Sequence, residues 1–269
     1  MAYKFIITLF IIVNYLNLSV CYQVKDGPLL TYRPPWLKQC RRSDPKLNQC
    51  LNNLFDVMFP ALAKGIDEIN VDAFEPLYLD KVSVTKGSGA VTLSGSFLNL
   101  TVVGPSNSTP TYTDINLAKR KLNFGIYLPL LDIKSKYNLK GHILILPLVG
   151  HGNCEMKLAG VDTKVKAEIS MHQKEGKEIL RIDNMRVSFT VEKIRVRLDN
   201  LFNGNKVLGL TVNTFLNQHG LEIVQELEEP IGESLAQIFK DIINNVFTKL
   251  PTDLWLPQEN ETNATEKKS

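Results

Sequence analysis

The sequence is poor in the features that carry catalysis or charge-driven binding. It has no Gly-x-Ser-x-Gly turn to present a nucleophile; Gly87-Ser88-Gly89 and Gly95-Ser96 do not fit that spacing and read as turn residues. No His-Glu-x-x-His pair places two imidazoles and a base on one helix face. No Gly-x-x-x-x-Gly-Lys followed by Ser or Thr is present to cradle a phosphate. The four histidines, His142, His151, His172 and His219, are scattered. His151 lies three residues from Cys154, but two further ligands are lacking, so a turn around Gly150 and Gly152 is expected there rather than a metal site. These gaps argue against a hydrolase, a metalloenzyme or a nucleotide enzyme, and no catalytic residue, metal or cofactor is expected. Charge is also scarce in net terms. The formal charge is +3, too near neutral for electrostatically driven nucleic-acid binding. Beyond the first residues, no apolar run is long enough to span a bilayer.

What is present suits a globular, exported chain. Hydrophobic residues make up 44% of the 269 and charged ones 22%, a balance that can bury a sizeable core. Lys4 precedes an apolar run from Phe5 to Val13, and Ser19 and Cys21 are small residues two apart. Asn14 and Asn17 interrupt the run short of the ~20 residues a membrane span needs. Residues 1–21 are therefore expected to be a signal peptide cleaved after Cys21, and loss of Lys4 brings the formal charge to +2. Cys40 and Cys50, ten apart in a secreted chain, suit a local disulfide. Cys154 is then unpaired, either a buried thiol acting as a small apolar side chain or a reactive or intermolecular one. Asn-x-Ser/Thr triplets at Asn99, Asn107, Asn260 and Asn263 are candidate glycosylation sites. Residues 258–269 are polar and are expected to form a disordered tail, leaving 22–257 as one domain.

Periodicity changes twice along that domain. After an irregular lead with Pro34-Pro35, Leu47, Leu51, Leu54, Phe55, Met58 and Leu62 recur at steps of three and four. This predicts a helix from about Pro45 to Lys64, kinked or ended at Pro60 and stopped at Gly65. From about Leu77 to Leu198 the period is two. The clearest run is Val161 to His172, where Val161, Thr163, Val165, Ala167, Ile169 and Met171 alternate with polar residues. A second run, Met185, Val187, Phe189 and Val191, switches parity to Ile194, Val196 and Leu198, predicting a bulge or sharp bend near Glu192. One-sided strands of this kind argue for an antiparallel sheet covered on one face. From about Thr211 to Leu250 the helical period returns, predicting a helix of ~35 residues and ~50 Å, with Gly220 and Pro230 as the points where it would bend. A long amphipathic helix plus one-sided strands predicts an α+β fold in which a strongly curved antiparallel sheet wraps the helix. A curved sheet need not close tightly on a straight rod, so an elongated cavity between them is expected.

Several segments resemble one family. Cys40-Arg41-Arg42-Ser43-Asp44-Pro45 through Cys50-Leu51, with Leu62-Ala63-Lys64-Gly65-Ile66 after it, is similar to the N-terminal motif of insect takeout / juvenile-hormone-binding proteins. Gly141-His142-Ile143-Leu144-Ile145-Leu146-Pro147-Leu148, with Gly150 and Gly152, looks like that family's central strand. Leu201-Phe202-Asn203-Gly204-Asn205-Lys206, then Leu208-Gly209 and Asn213, Phe215, Leu216 and Asn217, looks like its LFNG-type motif running into the long helix. Leu254-Trp255-Leu256-Pro257 matches its ending, so the resemblance covers about residues 37–257. It implies a tubular lipid-binding fold whose tunnel holds an apolar ligand: a terpenoid hormone-like molecule, a fatty acid or another lipid. Members of the family are secreted insect proteins linked to hormone transport, feeding, chemosensation and circadian behaviour. The hormone carriers among them have a second disulfide. Here Cys154 has no remaining partner once Cys21 is removed, which points to the takeout-like branch.

The apolar faces supply candidate tunnel residues: Val165, Ala167, Ile169, Met171, Val187, Phe189, Phe215, Ile223, Leu227 and Phe239. Each would serve equally as ordinary core. The expected function is a monomeric, secreted, non-enzymatic carrier of a small hydrophobic ligand; the competing reading is an extracellular interaction glycoprotein with a filled core. Lys119-Arg120-Lys121 and Lys193, Arg195 and Arg197 could meet an anionic membrane transiently, or form the solvated face of a strand.

Overall fold

Helix α1 spans Leu47–Ala63 and turns Leu51, Leu54 and Met58 into the core, as its three-and-four spacing requires. This computed structural model describes residues 27–143 and 146–258; the expected leader with Cys21, and the tail from 259 with Asn260 and Asn263, lie outside the described residues. The helix continues through Pro60 rather than ending there. Pro60 is exposed and close to the C-terminus, so the carbonyl it leaves without an N–H partner, on exposed Asp56, lies at the solvent side. Gly65 does stop the helix: its φ is +79°, and a Cβ there would sit 2.7 Å from the carbonyl oxygen of Val71.

Six strands form one antiparallel sheet: β1 Leu77–Lys86, β2 Val91–Val103, β3 Thr109–Asn116, β4 Lys121–Ile143, β5 Leu146–Lys174 and β6 Lys177–Leu198. The order is β1-β2-β4-β5-β6, and β3 pairs with the first third of β4, which β2 does not reach. The parity switch on β6 is a bend, not a bulge. Register is unbroken across it, from Val161↔Val191 to Ala159↔Lys193. Neighbouring strands switch with it: β5 buries Cys154 before the bend and Val161, Val165 and Ala167 after it, and β4 buries Leu122 and Phe124 on one side and Tyr137 and Leu139 on the other. Pro129, Gly160 and Glu192 thus form a line across three strands. Gly160 has φ +62°, and a Cβ there would come within 2.4 Å of the Glu192 side chain. The true register slip lies earlier on β6, between Glu168↔Asn184 and Ile169↔Ile182.

The C-terminal helix is divided. Helix α2, Lys206–Gln218, is capped by the Asn205 side chain, which accepts the N–H of Leu208 at 3.1 Å. Helix α3, Gly220–Phe247, follows after one non-helical residue, His219. A Cβ on Gly220 would lie 2.5 Å from Ile194 Cγ2, so the chain turns where it presses on β6. Pro230 lies inside α3 without ending it. The carbonyl of Glu226, four residues back, instead accepts a hydrogen bond from Lys86 Nζ at the end of β1. Helix α3 packs on both β6 and β1, the two outermost strands, so the sheet curls around it.

That closure is made by side-chain amides. Asn213, Asn217 and Asn244 each accept the backbone N–H and donate to the carbonyl of a single β6 residue, respectively Leu198, Val196 and Ile182, at 2.7–3.0 Å. Glu228 accepts the N–H of Phe189 at 3.1 Å. Between them Gly232 lets α3 approach so closely that a Cβ would sit 2.4 Å from the Val187 carbonyl oxygen. The helices thus satisfy backbone groups that an edge strand otherwise leaves open.

At the other end the segment around Cys40 meets the segment 252–256. Cys40 and Cys50 form a disulfide, and the N–H of Cys40 donates to Trp255 O at 2.8 Å beside the short helix α4, Thr252–Trp255. Arg42 donates to Leu256 O at 2.8 Å and pairs with Glu178 of β6. Trp255 stacks on Phe247 at 5.5 Å.

Candidate ligand cavity

Between α1, the sheet and the C-terminal half of α3 the side chains leave a cavity of 540 Å³. Its size falls in the range of small-molecule sites, ~300–1,000 Å³. Helix α1 contributes Phe55, Met58, Phe59 and Leu62; β4 contributes Leu122, Phe124, Ile126 and Leu128; α3 contributes Phe239, Ile242 and Ile243. Phe55 and Phe59 share a face because they are four apart on α1, and Phe55 meets Phe124 across the space at 6.3 Å between ring centres. The open side is marked by Asp72, Ala73 and Tyr78, all exposed, with Tyr78 at 66%.

Polar groups on this wall are few. Thr163 and Ser108 are buried and line the cavity, and their hydroxyls make no hydrogen bond among the described residues. Asn245 also lines it, with Lys249 behind. At the rim, Glu75 Oε1 accepts the N–H of Gly104 at 2.8 Å and its Oε2 that of Ser106 at 3.0 Å. Glu75 thereby ties the segment carrying Phe74 and Tyr78 to the one carrying Pro105 and Ser108. Burial alone would raise its pKa; the N–H groups of Ser106 and Gly104 outweigh this and hold the carboxyl below its ordinary value.

The ten candidate lining residues are dispersed. Val165 and Phe239 line the cavity. Ala167, Ile169 and Val187 are buried in the same core, and Met171 packs on its flank. Phe215, Ile223 and Leu227 pack in a second cluster, with Val212 and Leu216 of α2. Phe189 is half-buried on β6. The α1 contribution was foreshadowed by Phe55, Met58 and Leu62 on its apolar face, but nothing in their spacing separates core from lining. The rim segments 71–78 and 105–110 have no periodicity to betray them.

The other candidates have simple surroundings. Cys154 is buried, and burial is the largest cause pushing its pKa up to about 11, as for an inert thiol. His151 lies on the exposed side of β5, away from it. Asn99 and Asn107 are exposed. Lys119 and Arg120 lie in an exposed turn between β3 and β4, with exposed Lys121 opening β4, and Lys193, Arg195 and Arg197 lie on the exposed face of β6.

Known proteins are similar to this chain in sequence and in fold. The circadian clock-controlled protein daywake of Drosophila melanogaster is 28% identical over 234 residues, 84% of this chain and 89% of that protein. Daywake of Drosophila yakuba is 26% identical over 235 residues, with the same shares covered. The crystal structure of Epiphyas postvittana Takeout 1 superposes with a TM-score of 0.70 at 26% identity, covering 82% of this chain and 99% of that one. The family model described as haemolymph juvenile hormone binding protein (JHBP) matches residues 16–257, and the chain belongs to that family.

Proposed function

We propose that this protein is a secreted, non-enzymatic carrier that holds a small hydrophobic molecule in the cavity between α1, α3 and the sheet. The observation that carries this reading is a 540 Å³ space walled almost wholly by apolar side chains. Burial of about ten methylenes at ~0.8 kcal/mol each would give ~8 kcal/mol, the scale of micromolar affinity before ordering costs are subtracted. Terpenoid hormone-like molecules, fatty acids and other lipids all meet that requirement. Organic extraction of the purified protein, with mass spectrometry, should yield an apolar molecule, and a fluorescent fatty-acid probe should bind. Val165→Trp, which places an indole in the space, should abolish uptake while the fold persists. Absence of both a copurified lipid and probe uptake would favour the filled-core interaction glycoprotein instead.

Secretion is supported by the leader-like residues 1–21 and the Cys40–Cys50 disulfide, which suits an oxidising compartment. Sequencing the N-terminus of protein recovered from medium should place cleavage after Cys21. Exposed Asn99 and Asn107 are accessible for glycans, and glycosidase treatment should shift the protein's mobility. The exposed Lys193, Arg195 and Arg197 suit transient contact of a monomer with an anionic membrane, tested by vesicle flotation. The names of the daywake relatives motivate a clock-linked role, which a transcript time course would test.

A further inference from the structure

Asn245 is 1% exposed and faces the cavity from α3. Its side-chain oxygen accepts a hydrogen bond from Lys249 Nζ at 2.7 Å. An ammonium can only donate, so this contact fixes which end of the amide is oxygen and leaves the NH₂ turned the other way. That NH₂ meets no acceptor among the described residues, whereas the related amide of Asn244 has both ends bonded, to Ile182. Lys249 is itself 1% exposed and donates also to Asn70 O at 3.1 Å, so the amide oxygen is held in place from behind. A buried donor without an acceptor is destabilising, and a cation on the far side of the amide polarises it into a stronger donor. The geometry points to a ligand with a hydrogen-bond-accepting polar end, such as a carbonyl or ester oxygen, held by the Asn245 NH₂.

This rests on the carrier reading, and it adds a polar contact: Asn245 is buried in the wall, and its partner Lys249 reaches Asn70, beside the rim residues Asp72 and Ala73. Thr163, also buried and with a hydroxyl that meets no partner among the described residues, lies on the sheet wall and provides an internal control.

The test is displacement of an environment-sensitive fluorescent probe by tetradecane and by methyl dodecyl ketone, chains of equal length that differ by one carbonyl. The wild type should prefer the ketone by about tenfold, the scale of one well-made buried hydrogen bond. Asn245→Asp keeps an oxygen for Lys249 and replaces the donor by an acceptor. It should abolish the ketone preference, so that the two chains bind within about twofold of each other. Thr163→Val should leave the preference intact. Equal wild-type binding of the two chains would overturn the inference and leave the carrier reading standing, as would a preference lost in Thr163→Val but kept in Asn245→Asp. Failure of both chains to bind would instead remove the carrier reading.

Discussion

Replacing Asn244 by alanine tests the amide closure of the sheet most sharply. Asn244 is 7% exposed and bonds the N–H of Ile182 at 2.8 Å and its carbonyl at 2.9 Å. Alanine removes both bonds and leaves two buried main-chain groups without partners, at about 1–3 kcal/mol each. Alanine's better helix propensity returns about 0.5 kcal/mol. The net loss should be about 2–5 kcal/mol, or a fall in Tm of about 5–15 °C for a domain of this size. Asn217 makes the same pair of bonds, to Val196, but is only half-buried, so water can replace the lost partner. Asn217→Ala should therefore cost about 1 kcal/mol. Urea unfolding of both variants, with unchanged m-values, reads the difference directly. If Asn244→Ala lost no more stability than Asn217→Ala, the amides would not be acting as partners for the strand, and the reasoning would be refuted.

Three further outcomes follow from the same contacts. Gly232→Ala drives a Cβ to 2.4 Å from the Val187 carbonyl oxygen and should destabilise by about 1–3 kcal/mol in thermal melts, since backbone on both sides must separate. Reduction of the Cys40–Cys50 disulfide, which closes a loop with a sequence separation of 10, should cost about 2–3 kcal/mol by chain entropy, measurable by unfolding with and without reductant. Glu75 and Glu178 both have lowered pKa values: in each, burial acts upward and is outweighed by donors, Ser106 and Gly104 for Glu75, Arg42 and Thr252 for Glu178. Their stabilisation is complete above the ordinary carboxylate pKa and is lost as pH falls through the lowered native values. A Glu75→Gln, Glu178→Gln double variant should lose less stability than wild type on going from about pH 6 to about pH 3; an equal loss would remove these two groups as the cause.

The elements of the fold are legible in the residues to differing degrees. Alternation from Val161 to Met171 reads directly as one face because each strand residue reports its own side. The parity switch at Glu192 is legible on β6, but its extension through Gly160 and Pro129 depends on register between strands far apart in sequence. The division at His219 is legible in part: Gly220 marks a point where the helix would bend, but the pressure of Ile194 on it is a contact between distant residues. The cavity is the least legible feature. Val165 and Phe239 line it while Ala167 and Val187, with the same pattern, are packed. Whether space remains depends on summed side-chain volumes around a point, which periodicity does not encode. The interior Asn245–Lys249 pair was likewise hidden, because a lysine near a helix end ordinarily reads as solvent-facing.

The amide contacts between the helices and β6 also bear on how the hollow persists. On α3, Asn244 answers Ile182 and Glu228 answers Phe189, so that helix has a fixed longitudinal setting: a slide of one turn would break both matches at once. A helix held only by greasy packing could settle sideways and collapse an underfilled region. Directional bonds oppose that relaxation and keep this wall in position, so a guest of the kind proposed would meet less reorganisation cost there.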